Sequence, residues 1–453
     1  MMREMFCQKS KYRETIRLAI PLIMASSGTT VMQFVDGVFL ARHSPAELAA
    51  AGSAGLLSWL SLTIIFGTVN YTGTMVANLY GAKKMERIGA TVWQGLYLAL
   101  MGALFTAVLS FFCAPIFRAF GHEAQLVAHE AIYLRISLCG TFFFLAQAAL
   151  SGFFSGRGDN TRVMVAQVSG QVFNIVGDYV LIFGKFGFPE WGVAGAAVAT
   201  VGGSVVTALI LFAMMATRRN RDTYATLRAW RPDARLIRRL CTFGIPSGAN
   251  YTMDAIIWTV FMMLMGRIGA AELAATSLCF RINSVALMPV LGLGHALGTL
   301  VGQCHGRGDD GEAMRYTGHG SVLCFAWMMA AAATFILFPD FYTGLFVEEA
   351  SESGAQVAEL VHGFIRFVAL YCTMDSLNVS LCSAIGAVGD TVFSFKVIGT
   401  FSVLFTLALL GLTLAGVSNA YLFWGLVTAY VMLLPIFWYT RLRGGRWKGR
   451  VVG

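Results

Sequence analysis

Long apolar runs alternate with short polar breaks along the whole chain, and twelve of the runs are long enough to cross a bilayer as helices. They fall at approximately 16–41, 47–79, 89–117, 126–155, 161–184, 191–217, 238–267, 272–303, 316–340, 355–385, 391–414 and 417–440. One run breaks its apolarity in a regular way. Between Val163 and Phe183, polar residues recur at Gln167, Gln171, Asn174 and Asp178, in steps of four, three and four. That spacing predicts one polar stripe on one helix face, with Val168, Val172, Phe173, Ile175 and Val176 covering the rest. Amides in such a stripe have two readings, hydrogen bonding between helices or contact with a bound solute. An aspartate at this depth points to ion or proton binding, because inserting it costs roughly 2.5–3.5 kcal/mol. A structural hydrogen-bonding role is the alternative for Asp178.

Three other acids lie deep within runs. Asp36 shares a face with Ser26, Thr29 and Gln33; Asp254 with Ser247 and Asn250, with Trp258 one turn on; Asp375 with Tyr371 and Asn378. Each acid thus faces the same way as its polar neighbours, as a group turned inward to a cavity does. Gln33, Gln171, Ser151, Asn250, Tyr371 and Asn378 are therefore candidates to line a substrate cavity. The remaining acids sit in loops or near the ends of runs, where water and snorkelling make them inexpensive. No lysine or arginine within the runs is placed to neutralise Asp36 or Asp178, so those two are expected to hold a proton or a cation.

The two halves of the chain are related. Ile20-Pro21 is matched by Ile245-Pro246, Arg42 by Arg267, Ala46-Glu-Leu-Ala-Ala50 by Ala271-Glu-Leu-Ala-Ala275 and Gly81 by Gly306, all at an offset of 225. Gly158-Asp159 is answered by Gly389-Asp390, and Gly192-Val193 by Gly416-Val417. Six runs followed by six in the same order form a parallel repeat, with a binding cavity expected between the halves. The fold class predicted is an all-α polytopic membrane protein, twelve transmembrane helices in two pseudo-symmetric six-helix bundles with a central cavity. Its parts are an N-terminal lobe at 1–217, a basic cytoplasmic linker at 218–239 and a C-terminal lobe at 240–453. The symmetry fails at Asp178, whose counterpart run at 391–414 contains no acid.

Composition agrees: 57% of residues are apolar and only 13% charged, against about 25% charged in soluble domains. The net charge of +9 reports topology and excludes a nucleic-acid reading. Most Lys and Arg fall at every second break between runs, as the positive-inside rule predicts for cytoplasmic loops. The linker alone carries eight Arg against two Asp. Outer loops are acidic or neutral, as at Glu348-Glu349-Ala-Ser-Glu352. An even number of spans places both termini on one side, and the basic lead at 1–17 and basic tail at 441–450 put that side in the cytoplasm; the first run, which is long and carries Asp36, is not a cleavable signal core. The nine cysteines form no metal- or disulfide-type pair and read as small packing residues. Gly292-Leu-Gly-His-Ala-Leu-Gly298 is misspaced for a nucleotide loop and reads as a close-packing helix face. His295 within it reads as a packed core histidine, and Asp159 or Asn160 as the N-cap of the fifth span.

These residues together resemble the multidrug and toxic-compound extrusion (MATE) family of antiporters. The resemblance rests on Pro21 before Asp36, Asn174-x-x-x-Asp178, Gly192-Val-Ala-Gly-Ala-Ala-Val-Ala-Thr200, Arg157-Gly-Asp and Gly244-Ile-Pro-Ser followed by Asp254, and it runs from about residue 14 to 440. It implies a cation site of Asp36, Asn174, Asp178 and Thr200, with the Ala196 carbonyl as a further oxygen; Asp36, Asn174 and Asp178 would be metal ligands if Na⁺ is the ion. It also makes Asp254 and Asp375 secondary acidic candidates, and puts Ser151 where relatives place an asparagine. The function implied is multidrug efflux from the inner membrane, not enzymatic, in exchange for H⁺ or Na⁺. Small organic molecules and lipid are the partners expected of a monomer, with no cofactor beyond the coupling ion. Two alternatives stand beside it. A flippase for lipid-linked oligosaccharides calls for cationic clusters in the spans, and an intramembrane enzyme for a His/Asp, Ser/His or metal-type cluster near the interface; the chain shows neither.

Overall fold

The computed structural model describes residues 2–344, 352–450 and 452, all helical or in short connections. The acidic loop at 348–351 lies outside the described residues. In chain order the helices are α1 (Met2–His43), α2 (Pro45–Gly81), α3 (Glu86–Leu109), α4 (Cys113–Ala119), α5 (Ala124–Cys139), α6 (Thr141–Ser155), α7 (Asn160–Ile182), α8 (Val193–Met215), α9 (Arg218–Tyr224), α10 (Ala234–Ile268), α11 (Ala270–Gly306), α12 (Asp310–Leu337), α13 (Pro339–Gly344), α14 (Glu352–Ala387), α15 (Thr391–Leu414) and α16 (Ala420–Arg443).

Among the described residues, ten helical segments are long and apolar enough to cross a membrane, and α5 with α6, bent by 43°, makes an eleventh. The bend sits at Gly140, where any side chain would run into Val201 of α8. α7 is the twelfth. Its 23 residues reach about 34 Å at 1.5 Å per residue, but the polar stripe lowers its hydropathy. Each apolar run of the sequence thus corresponds to one helix or one broken helix.

Two compact units divide the chain. One holds Ile20–Ala249 with Val452–Gly453, the other Met1–Ala19 with Asn250–Val451. The divisions fall inside α1, beside Pro21, and inside α10, just after Pro246. Segment 218–239 does not divide the units; it folds back onto the first. Trp93 Nε1 donates to the Thr226 carbonyl (2.6 Å), Tyr97 Oη to that of Trp230, and Gln94 Nε2 to that of Arg231 (3.2 Å). Arg157 lies over the rings of Phe153 (3.9 Å) and Tyr224 (4.5 Å), fixing α9 against α6.

Backbone geometry carries the repeat as clearly as the sequence does. Lys83 (φ 58°) and Gly308 (79°), Gly158 (82°) and Gly389 (79°), and Gly192 (51°) and Gly416 (73°) take up positive φ at matching turns. The match extends to the start of α7 and α15. Asp159 occupies the N-cap position of α7 without a capping hydrogen bond, because its carboxylate pairs with Arg162 at 3.1 Å. Its counterpart Asp390, at the N-cap position of α15, likewise makes no capping hydrogen bond, its carboxylate pairing with Arg441 at 2.7 Å.

Packing inside each unit follows from small residues and aromatics. In the first unit α2 meets α6 at Gly73 and Gly152, where a Cβ on Gly152 would stand 2.7 Å from the Gly73 nitrogen. In the second, Trp258, Phe261, Phe280, Phe364 and Trp424 form an aromatic cluster. The 292–298 glycines serve close packing, with Gly294 set against Val379 and Ser383 of α14. His295 corrects the expectation of a core histidine: it stands exposed on α11.

Acids near the ends of helices correct a second expectation, because several are buried. Glu130 is buried against His122 (2.9 Å) and Ser53, and Asp390 against Arg441 (2.7 Å) and Arg450 (2.8 Å). Each is compatible with burial because a basic partner sits within hydrogen-bond reach. His43, at the end of α1, bridges Glu47 of α2 (2.8 Å) and Glu190 of the α7–α8 connection (2.7 Å). This ties the ends of the two helices that carry Asp36 and Asp178.

Replacing Gly152 by valine forces α2 and α6 apart and is expected to destabilise the protein by about 1–3 kcal/mol. Gly318→Ala, with nothing within 4 Å of the added carbon, should leave the unfolding temperature in detergent unchanged or slightly raised.

Candidate functional site

The stripe on α7 is real and one-sided. Asp178 is 0% and Asn174 1% exposed, while Val172, Phe173 and Val176 on the opposite face are exposed. What buries the stripe is close approach to α8. A side chain on Gly170 would strike Thr207 and the Gly203 carbonyl, and Gly177 faces Ala199. At that separation Asn174 Nδ2 reaches Thr200 Oγ1 at 3.3 Å, and Thr200 Oγ1 donates to the Ala196 carbonyl at 2.9 Å.

On its other side the stripe meets α1. Gln171 Nε2 donates to the Ala25 carbonyl (3.0 Å) and to Thr29 Oγ1 (2.9 Å). Gly28 makes room for the amide, since any side chain there would overlap Gln171. Farther along the same interface the Asp36 and Asp178 carboxyl groups face each other within hydrogen-bonding range.

Both oxygens of Asp178, Oδ1 of Asp36 and Oδ1 of Asn174 are buried without a donor. No lysine or arginine pairs with either carboxyl group among the described residues. Two carboxylates cannot donate to each other, so the contact becomes a hydrogen bond only when a proton lies between them. Otherwise it calls for a cation. Four oxygen acceptors and no nitrogen ligand suit a hard ion such as Na⁺ as well as a proton. Tyr133, on α5, lies within electrostatic range of both acids. Nothing in the spacing of the chain marks it, since a lone tyrosine in an amphipathic stretch carries no periodic signal.

The other candidates are placed differently. Gln33 is exposed on α1, and Ser151 sits on α6 with its hydroxyl buried and unbonded. In the second unit Asp254 and Asp375 are electrostatic neighbours, with Asp254 exposed on α10 and within reach of Trp258. Asp375 Oδ1 accepts from Asn378 Nδ2 (3.2 Å), whose Oδ1 accepts from Trp438 Nε1 (2.6 Å). Tyr371 is 1% exposed, accepts from Asn283 (3.2 Å) and stacks on Trp424, so it belongs to the core of this unit. The Asn250 carbonyl oxygen is buried without a donor. Within the second unit, then, Asn378 and Tyr371 are occupied by structural bonds, whereas the Asp36–Asp178 group is left open.

Comparison with known proteins bears on this arrangement. A family model described as MatE matches residues 21–180 and 246–410, one match in each repeat. A probable multidrug resistance protein NorM of Pseudomonas putida is 29% identical over 391 residues, covering 86% of this chain and 84% of the relative. One of the same description from Thermotoga maritima is 26% identical over 97% of this chain and 94% of its own length. Among solved structures, a MOP superfamily transporter from Pyrococcus furiosus superposes with a TM-score of 0.87 at 22% identity, covering 97% of each chain. A multidrug resistance MATE family transporter, solved facing outward, superposes at 0.86 with 21% identity and 97% of each chain. At these identities the structures establish the all-helical membrane fold.

Asp178→Asn supplies the donor that the pair lacks. It is expected to raise stability by about 1–3 kcal/mol in sodium-free alkaline buffer, read by thermal unfolding in detergent. Gln171→Leu, which removes the clasp between α1 and α7, should lower it by about 0.6–1.7 kcal/mol.

Proposed function

Because this chain belongs to the MatE family, and so is a multi-pass membrane transporter, we propose that it exports amphipathic, often cationic organic compounds in exchange for H⁺ or Na⁺. The relatives named for multidrug resistance support the substrate class. The observation that carries the coupling is the group of donorless oxygens on Asp36, Asn174 and Asp178. In this reading the coupling ion enters between the two carboxyl groups and neutralises them. Its departure leaves two like charges face to face in a water-poor site, where their repulsion drives α1 and α7 apart. α1 can answer such a push because Pro21 interrupts its backbone hydrogen bonding. The protein alternates between two states of access, and ion and substrate exclude one another.

The energetics suffice. At a potential of 100 mV each charge that returns inward supplies about 2.3 kcal/mol, roughly a 50-fold substrate gradient. The proposed setting is the inner membrane of a bacterial-type cell, with both termini and the basic linker in the cytoplasm. The proposed working form is a monomer that needs no cofactor beyond the coupling ion.

Proteoliposomes given a pH gradient or a Na⁺ gradient separately test this reading. One of the two gradients should drive ethidium or norfloxacin transport in the unaltered protein. Asp36→Asn and Asp178→Asn should each lower gradient-driven transport by at least about ten-fold. Undiminished gradient-driven transport in both variants removes these acids from the mechanism.

A further inference from the structure

The segment that joins the two repeats has a feature that transport by Asp36 and Asp178 does not use. Residues 225–235 are held on α3 by Trp93, Gln94 and Tyr97, which donate to three of their backbone carbonyls, while Gln94 Oε1 accepts from the Asp233 amide at 3.1 Å. The segment is therefore a fixed wall of the first unit. Beside the start of α3 it borders a shallow, open basin of about 650 Å³ lined by Ala90, Arg228, Arg231, Pro232, Asp233 and Arg235.

Three exposed arginines line this basin against one aspartate. That carboxylate is already engaged: Asp233 Oδ1 accepts from the amides of Arg235 (2.8 Å) and Leu236 (3.2 Å) at the start of α10. Next to Arg228 and Arg231 in the chain, two large apolar side chains remain partly open to the surface, Trp230 at 54% and Leu227 at 37% exposure. A soluble anion has no use for those two side chains. A lipid does, because tryptophan settles at the level of the headgroups and arginine binds phosphate oxygens through its planar fork of N–H donors.

We propose that this basin binds the headgroup of an acidic phospholipid, with Arg228, Arg231 and Arg235 on the phosphate and Trp230 and Leu227 entering the interfacial layer. The site anchors the inter-repeat segment to the anionic leaflet. It depends neither on the coupling ion nor on the exported compound.

Native mass spectrometry of the full-length protein, exchanged into detergent with phosphatidylglycerol or phosphatidylcholine, reads the site directly. Phosphatidylglycerol should be retained in preference. R228Q, R231Q and R235Q should each lower its retention about five-fold, with ethidium transport under a fixed gradient unchanged. The single controls R218Q, R219Q and R443Q each remove one exposed charge outside the basin and should leave retention intact. Equal losses from both sets would overturn the proposal, since retention would then follow net charge alone. Full displacement of the lipid by inorganic phosphate would also overturn it, by assigning the basin to a free anion. Trp230→Ser separates the two chemistries again: a lipid site loses affinity, a phosphate site does not.

Discussion

Two carboxyl groups that face each other away from water cannot both keep their charge unless something positive lies between them. The packing around Asp36 and Asp178 sets up that situation and leaves it unresolved by the protein itself. Gly170 and Gly177 bring α7 against α8, Gly28 admits the Gln171 amide into α1, and Gln171 then holds α1 and α7 in register. These contacts surround the carboxyl groups without supplying a donor to either oxygen of Asp178. Small residues thus fix the distance between the acids, and the acids confer sensitivity to an ion.

Among the described residues, other buried acids are met by a partner of their own. Glu130 and Asp390 are equally inaccessible, yet histidine or arginine meets each of them. Asp375 of the second repeat accepts from Asn378, itself bonded to Trp438. A neutralised acid contributes to packing and needs no ion. The repeat therefore supplies the same scaffold twice, while the site left without donors lies in the first copy. The absence of any acid in α15, the counterpart of α7, belongs to the same asymmetry.

Much of this was legible in the chain because membrane helices write their faces into spacing. The steps from Gln167 to Asp178 predict a stripe, and the offset of 225 predicts a repeat, to which the structure adds a shared positive φ at Lys83 and Gly308. Spacing names a face but not the neighbour that covers it. It could not say that Gln171 would reach the Ala25 carbonyl, or that Tyr133 would stand near both acids, because those contacts depend on how separate helices pack. It also misplaced His295, which lies among buried residues in sequence and yet is exposed. The basic segment at 218–239 read as a connector from its charge. Its anchoring to α3 rests on backbone carbonyls, which no side-chain pattern records.

The most direct test of the account is infrared difference spectroscopy of the purified protein at neutral pH in sodium-free buffer. The account predicts a carbonyl band of a protonated carboxyl group that is lost in Asp36→Asn and lost again in Asp178→Asn, because one proton belongs to both residues. A band that survives both substitutions, or no such band in the unaltered protein, would contradict it.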